Sequence, residues 1–312
     1  MNYILGSGLI GLLARHILGP SYAIIPYYKS RFFSYNPSLD DNYLVRDART
    51  DPFVTQLNGT LGPVFMYKKA WSINGGLVKQ FDAELCHSWL YKIFGQHAPS
   101  QSQVYMKSHM EHFVYDLRLN QLYQRLQELY EKEIKTGLTL GQVSEIGDHY
   151  IIIGGKRLDY HECISTIPLN SLVKYIGLKD QYPTKTIHYL HIQSEELDFE
   201  GMNQVLVVDS SYAFYKVTNV AKNRYLFYCH VDIPDPGVYF MQFIKSFEII
   251  DGTSIPEALP IGSVGSNALL DRFGVSCVGS NAQWDWCMDV SSCIIKLLRM
   301  ADRKDATTLI NI

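Results

Sequence analysis

The first residues able to do chemistry are six near the start of the chain, Gly6-Ser7-Gly8-Leu9-Ile10-Gly11. Three glycines at this spacing, between an apolar strand and an apolar helix, make a cradle for phosphates. Gly6 permits a tight turn, Gly8 lets a pyrophosphate approach the backbone, and Gly11 lets helix and strand pack closely. The helix that opens at Leu9 then offers backbone donors and a partial positive charge to the anion. The bland alternative is a glycine-rich turn with no cofactor, and the strand–turn–helix setting argues against it.

A dinucleotide site of this kind normally carries an acidic side chain about twenty residues further on, which takes the adenosine ribose hydroxyls. That stretch here reads Ile25-Pro26-Tyr27-Tyr28-Lys29-Ser30-Arg31 and holds no carboxylate. Either other groups hold the ribose, or Lys29 and Arg31 meet a 2′-phosphate, which would make the cofactor NADP. The bland reading of both is a pair of solvated loop cations.

Other reactive residue types carry weaker signals. His109 and His112 stand beside Glu111, but without an HExxH motif or a further ligand set they read as surface histidines. Trp284 and Trp286 can wall a ligand cavity or simply fill core. Asn58-Gly59-Thr60 is a turn, and no GxSxG nucleophile elbow occurs. Six cysteines, at 86, 163, 229, 277, 287 and 293, form no CxxC pair and read as reduced core fillers.

The elements that must position these groups can be read from periodicity. Tyr3-Ile4-Leu5 is a short buried strand, Leu9 to Leu18 an apolar helix closed by Gly19-Pro20, and Ala23-Ile24-Ile25 a second strand. From Arg31 to about Trp71 no period is sustained, so an irregular segment over the ligand is expected. Asp82 is placed to cap a helix bearing Cys86, Trp89, Leu90 and Ile93, and Gly95 to end it. A second helix is expected from Asp116 to Lys135 on a stripe of Leu119, Leu122, Leu126 and Leu129. Gly154-Gly155 is a two-residue hairpin loop between strands 149–153 and 156–160, and Cys163 to Thr166 is a further strand ending before Pro168. Strands follow at 205–208, 213–217 and 225–231, and a last helix from Asp289 presents Val290, Cys293, Ile294, Leu297 and Leu298 on one face.

The bulk properties fit this layout. At 312 residues the chain can bury a substantial core, and 47% hydrophobic with 19% charged residues is an ordinary globular composition. A net charge of −3 gives no indication of nucleic acid, although a local basic patch would not show in that sum. No apolar run reaches the length of a membrane span, and the strand beginning directly after Met1 leaves no signal peptide, so a cytoplasmic protein with no membrane partner is expected. Composition is silent on oligomeric state.

Two further segments resemble a known family. His161-Glu162-Cys163-Ile164-Ser165-Thr166-Ile167-Pro168-Leu169 is similar to the "vIsTiPl" segment of flavoproteins in the amine oxidase, protoporphyrinogen oxidase and UDP-galactopyranose mutase group, where that strand follows a β-hairpin. Val278-Gly279-Ser280-Asn281-Ala282-Gln283-Trp284-Asp285-Trp286-Cys287-Met288-Asp289 resembles the group's closing flavin motif, in which Met-Asp opens the last helix. Three landmarks in the right order are more specific than any one alone. The departures are Ser280 in place of the usual arginine, the absent Gly-Gly after the second strand, the absent ribose carboxylate, and a spacing inside the closing motif that is one residue short.

The resemblance implies FAD, held by Gly6, Ser7, Gly8, Leu9, Ile10, Gly11, Thr166, Pro168, Gly279, Ala282, Trp284, Met288 and Asp289. It also implies an α/β fold, with a Rossmann-type FAD-binding domain split in sequence over 1–75, 137–175 and 270–312. A helical segment at 76–136 and a mixed β-sheet substrate domain at 176–269 would be inserted. Phe214-Tyr215-Lys216-Val217-Thr218-Asn219 resembles the segment where mutases carry a phosphate-binding arginine, here Lys216. Tyr215, Lys216 and Trp286 are therefore the substrate-pocket candidates, and an exposed strand lysine is the bland reading of Lys216. The expected activity is FAD-dependent oxidation of a C–N bond in a small-molecule or macromolecule-borne amine, such as a group on a modified DNA base. A UDP-galactopyranose mutase-like isomerase and a non-catalytic dinucleotide-binding module are the alternatives.

Overall fold

The computed structural model describes residues 1–27, 43–59, 61–98, 110–179, 182–261, 268–279, 282 and 289–302. In chain order these form β1 (Asn2–Leu5), α1 (Leu9–Leu18), β2 (Tyr22–Ile25), β3 (Tyr43–Val45), α2 (Asp51–Asn58), β4 (Val64–Ile73) and β5 (Gly76–Val78). Then come α3 (Ala83–Phe94), β6 (Glu111–Arg118), α4 (Leu119–Thr136), β7 (Val143–Gly147), β8 (Tyr150–Ile153), β9 (Lys156–Asp159), β10 (Cys163–Ser165) and α5 (Leu169–Tyr175). The remainder holds β11 (Thr184–Gln193), β12 (Gln204–Val207), β13 (Phe214–Ala221), β14 (Arg224–Cys229), α6 (Pro236–Phe240), β15 (Glu248–Pro260), α7 (Ala268–Asp271), β16 (Val275–Cys277) and α8 (Val290–Asp302).

Four short strands from three distant stretches of chain form one parallel sheet in the order β16-β10-β1-β2. Parallel strands need cover on both faces, so each reads as an unbroken apolar run. Ile4 packs with Leu12, Leu13, Leu122, Ile294 and Leu297 of helices α1, α4 and α8. Tyr3 and Leu5, pointing the other way, join Ile146, Ile151 and Ile153 of a three-stranded antiparallel sheet β7-β8-β9. That hairpin turns on Gly154 and Gly155, both at positive φ (56° and 76°), as a two-residue loop requires.

A second, nine-stranded mixed sheet runs β15-β11-β14-β13-β12-β4-β6-β3, with β5 paired to β4. Its two faces bury separate cores. Trp71, Leu206, Tyr215 and Tyr228 lie with Trp89, Leu90 and Ile93 of α3, whereas Ala70, Val205, Val207, Val217 and Phe227 lie with Phe240 of α6. Helix α3 is built as its sequence indicates: Asp82 accepts bonds from the Glu84 and Leu85 amides at 2.8 and 2.9 Å, and Gly95 ends it.

Three sequence expectations need correction. Within the stretch read as irregular, residues 43–71 hold β3, α2 and most of the ten-residue β4, while 31–42 lie outside the described residues. β4 hides its alternation because its halves have different partners, β6 along Val64–Lys68 and β12 along Lys69–Ser72. The helix expected from Asp116 begins at Leu119, since 111–118 is β6. Leu129 is 58% exposed, because the contact face turns to Tyr130, Glu133 and Ile134 where α4 meets α1 and β2.

The elements also sort differently from the segments read in sequence. β3, β4, β5 and β6 join the large sheet, and α4 packs beside the parallel one. Glu133 shows why α4 belongs there. β2 is an edge strand, and its Ile24 amide donates to Glu133 Oε1 at 3.0 Å while Arg15 Nε donates to the same carboxylate at 3.0 and 3.2 Å. One side chain thus ties α1, α4 and the open edge together. Glu133→Ala leaves the Arg15 guanidinium and the Ile24 amide without this acceptor and is expected to cost about 2 kcal/mol by chemical denaturation, with Glu133→Gln recovering part of it. A loss below about 0.5 kcal/mol would show the clasp to be idle.

Candidate functional site

The C-terminal ends of the four parallel strands lie along one edge, and the turns that leave them carry the sequence motifs. This is where ligands bind in open α/β sheets, because the turns diverge and expose helix N-termini and backbone amides. Gly6 leaves β1 at φ 106° and its amide bonds Ile25 O at 3.0 Å. A Cβ there would stand 2.6 Å from Thr166 Oγ1, and a Cβ on Gly11 would stand 2.1 Å from Gly6 O and 3.1 Å from the same Thr166 Oγ1. Thr166 in turn donates its amide (3.0 Å) and its hydroxyl (2.9 Å) to Leu5 O. Threonine, turn and helix are therefore wedged together, and only glycine fits at 6 and 11.

Gly8 is the reverse case. It is exposed, caps α1, and a Cβ added to it would meet nothing within 4 Å among the described residues. Among the described residues no side chain caps the helix, and its first turn has no acidic residue, so its positive end suits an external anion. Leu9 is buried under the turn; Ser7 and Ile10 are half-buried. Gly279, at φ 115°, follows β16 and sits next to α1, its Cβ position 3.9 Å from Ile10 Cγ1. A pyrophosphate fits this arrangement: open room in front of Gly8, a bare helix end, and a turn locked behind it.

The remaining motif residues serve the frame. Pro168 accepts the Ser171 and Leu172 amides at 2.8 and 3.1 Å and starts α5. Ala282 is buried with Leu5 and Ile25. Asp289 Oδ1 accepts the Ser292 amide at 2.7 Å and its carbonyl the Cys293 amide at 3.1 Å, so it caps α8 as its sequence position suggests. Lys29, Arg31, His109, Ser280, Trp284, Trp286, Cys287 and Met288 lie outside the described residues. The other five cysteines are buried free thiols. His112 is half-buried on a strand against Tyr67, with ring centroids 5.4 Å apart, so it is not the surface histidine that its polarity suggested.

Of the substrate-pocket candidates, Tyr215 is buried beneath α3, where Trp89 Nε1 donates to its carbonyl at 2.7 Å. Lys216 is half-buried, its Nζ 3.6 Å from the centre of the Tyr228 ring, and so is a cation–π partner rather than a bare strand lysine. A bulge between Phe214 and Lys216 lets both Tyr215 and Lys216 approach Tyr228. Nearby, Lys92 of α3 donates to the carbonyls of Val207, Asp209 and Phe214, and burial brings its pKa down to about 8. Burial, helped by Lys92 and Lys185, holds His230 down to about 4. Motif reading missed Lys92 and also Tyr123, whose hydroxyl reaches Ser7 O at 3.2 Å. Both act from remote segments onto backbone carbonyls, which leaves no spacing signature.

The contrast between two glycines gives a test. Gly11→Ala must push the helix off the turn and is expected to destabilise the protein by about 2 kcal/mol, whereas Gly8→Ala leaves its thermal midpoint nearly unchanged. Equal midpoints for the two variants would contradict the wedge.

No protein-family model matches the sequence, and no curated protein matches it. Solved structures do match its fold. A reduced UDP-galactopyranose mutase superposes with a TM-score of 0.67 at 11% identity, over 99% of this chain and 96% of that one. An oxidoreductase from Methanosarcina mazei gives 0.62 at 10% identity, over 96% and 99%. Aklavinone-11 hydroxylase, in ternary complex with FAD and aklavinone, gives 0.55 at 13% identity, over 98% of this chain and 62% of that one. The chain thus has the fold of these proteins, along nearly its whole length and at identities too low to follow by sequence.

Proposed function

We propose that this chain binds FAD across the C-terminal edge of its parallel sheet and acts as an FAD-dependent oxidoreductase. The observation that carries this is the meeting of Gly6, Gly11 and Thr166 behind an open Gly8, with Gly279 alongside. Strands from three separate stretches of sequence are read as the split Rossmann-type domain of the flavoprotein group. Support comes from the shared fold with a complex that holds FAD and with an oxidoreductase. NADP would call for cations on the ribose, and Lys29 and Arg31 keep that option as the alternative cofactor.

When bound, FAD would supply hydride acceptance, and the chain's residues need only bind and orient. Gly8 and the bare end of α1 would take the pyrophosphate, and Asp289 would hold the start of α8. Tyr215, Lys216 and Trp286 remain the proposed substrate side, with a C–N bond in an amine or amino-acid-like group as the bond oxidised. A mutase-like isomerase is the second reading. The observation favouring it is Lys216 held over Tyr228, a half-buried point charge suited to a phosphate-bearing substrate.

The purified protein is expected to show a flavin absorption band and to release a chromophore with the mass of FAD. Gly8→Glu is expected to abolish it, since a carboxylate in front of the helix end fills and repels the pyrophosphate site. Amines should bleach the bound flavin anaerobically if C–N oxidation is right, whereas UDP-sugars should perturb its spectrum if the isomerase is right. A colourless protein that FAD cannot reconstitute would leave a non-catalytic module.

A further inference from the structure

Helix α4 reaches the phosphate turn through a two-residue relay. Tyr123 Oη donates to Ser7 O at 3.2 Å. Gln127, one helical turn further on and 5% exposed, hydrogen-bonds the same phenol, while its own Oε1 has no partner among the described residues. The amide of Gln127 is therefore the donor in that pair, and the hydroxyl hydrogen of Tyr123 goes to Ser7 O. A phenol has one hydrogen to give, so this fixes the direction of the whole chain of bonds.

The consequence falls on Gly8. In a trans peptide the carbonyl of one residue and the amide of the next point in opposite directions, and the chain has no cis bonds among the described residues. Anchoring Ser7 O toward α4 turns the Gly8 N–H away from α4. It also holds in one orientation a peptide whose glycine has, among the described residues, nothing within 4 Å of its Cβ position to brace it. Glycine alone would leave this plane free to rotate at the point where a dinucleotide needs a fixed donor.

We infer that Tyr123, oriented by Gln127, is a positioning residue that aims the Gly8 amide at the pyrophosphate of the bound dinucleotide. This rests on the reading of the glycine turn as a dinucleotide site, and holds for FAD or NADP because both carry the pyrophosphate. Burial raises the Tyr123 pKa, so the phenol stays protonated and able to donate across the working pH range.

The test is titration calorimetry of FAD, and of ADP as the fragment common to both cofactors, on wild type, Tyr123→Phe, Gln127→Leu and the double variant. Tyr123→Phe is expected to weaken both ligands about five- to tenfold, the effect of one directed hydrogen bond, while apoprotein thermal stability changes little. Gln127→Leu should weaken them less, and should add nothing once Tyr123 is Phe, because it acts only through the phenol. A side chain that merely supports the fold would instead lower the apoprotein midpoint and give additive losses. If wild type binds and Tyr123→Phe binds equally well, or if Gln127→Leu keeps its effect in the Phe background, the relay is overturned. If wild type binds neither ligand, it is the dinucleotide reading that fails.

Discussion

The constraint on which the rest of the structure depends is the close approach of three backbones at Thr166. Its amide and hydroxyl both bond Leu5 O, its hydroxyl oxygen fills the space where a side chain at position 6 would have to go, and with the Gly6 carbonyl it closes the space at position 11. Any Cβ there drives α1 away from β1, and with it the N-terminus that faces the open side of Gly8. The sheet order follows from the same contact. β10 must lie beside β1 for Thr166 to reach the turn, so the chain has to return from β6 of the large sheet to the small one before β10. Strands of three or four residues can serve because each is buried on both faces, by helices on one side and the β7–β9 sheet on the other.

Around that point the molecule divides its work. The small sheet offers backbone donors and a helix end to an anion. The large sheet offers a buried aromatic face, with cations held in fixed places: Lys92 on three carbonyls and Lys216 on the Tyr228 ring. Helix α4 connects to the small sheet at both ends of its length. Near its start Tyr123 touches the glycine turn at Ser7, and near its end Glu133 covers the exposed edge of β2. A single helix that both braces the turn and closes the edge explains why it packs on the small sheet although its neighbour α3 covers the large one.

Much of this was legible in sequence wherever local chemistry decides the outcome. The glycine turn, the Asp82 and Asp289 caps and the Gly154-Gly155 hairpin each rest on a backbone need that a few adjacent residues reveal. Thr166 and Gly279 were legible as resemblance, and their meeting with Gly6 and Ile10 only as geometry. What stayed hidden was set by partners far along the chain. β4 changes neighbours at its middle, so its burial pattern never settles into alternation. The last turns of α4 face different elements from its first, which exposes Leu129. Tyr123 and Lys92 act on carbonyl oxygens, which every residue possesses, and so no motif marks the sites they serve.

The central claim is that a dinucleotide lies across the C-terminal edge of the parallel sheet, over Gly8. Amide hydrogen exchange with and without saturating FAD tests it most directly. The account predicts new protection at residues 6–11, 166–167 and 278–279, since those turns line that edge. Unchanged exchange in all three turns, with protection confined to the large sheet, would contradict it.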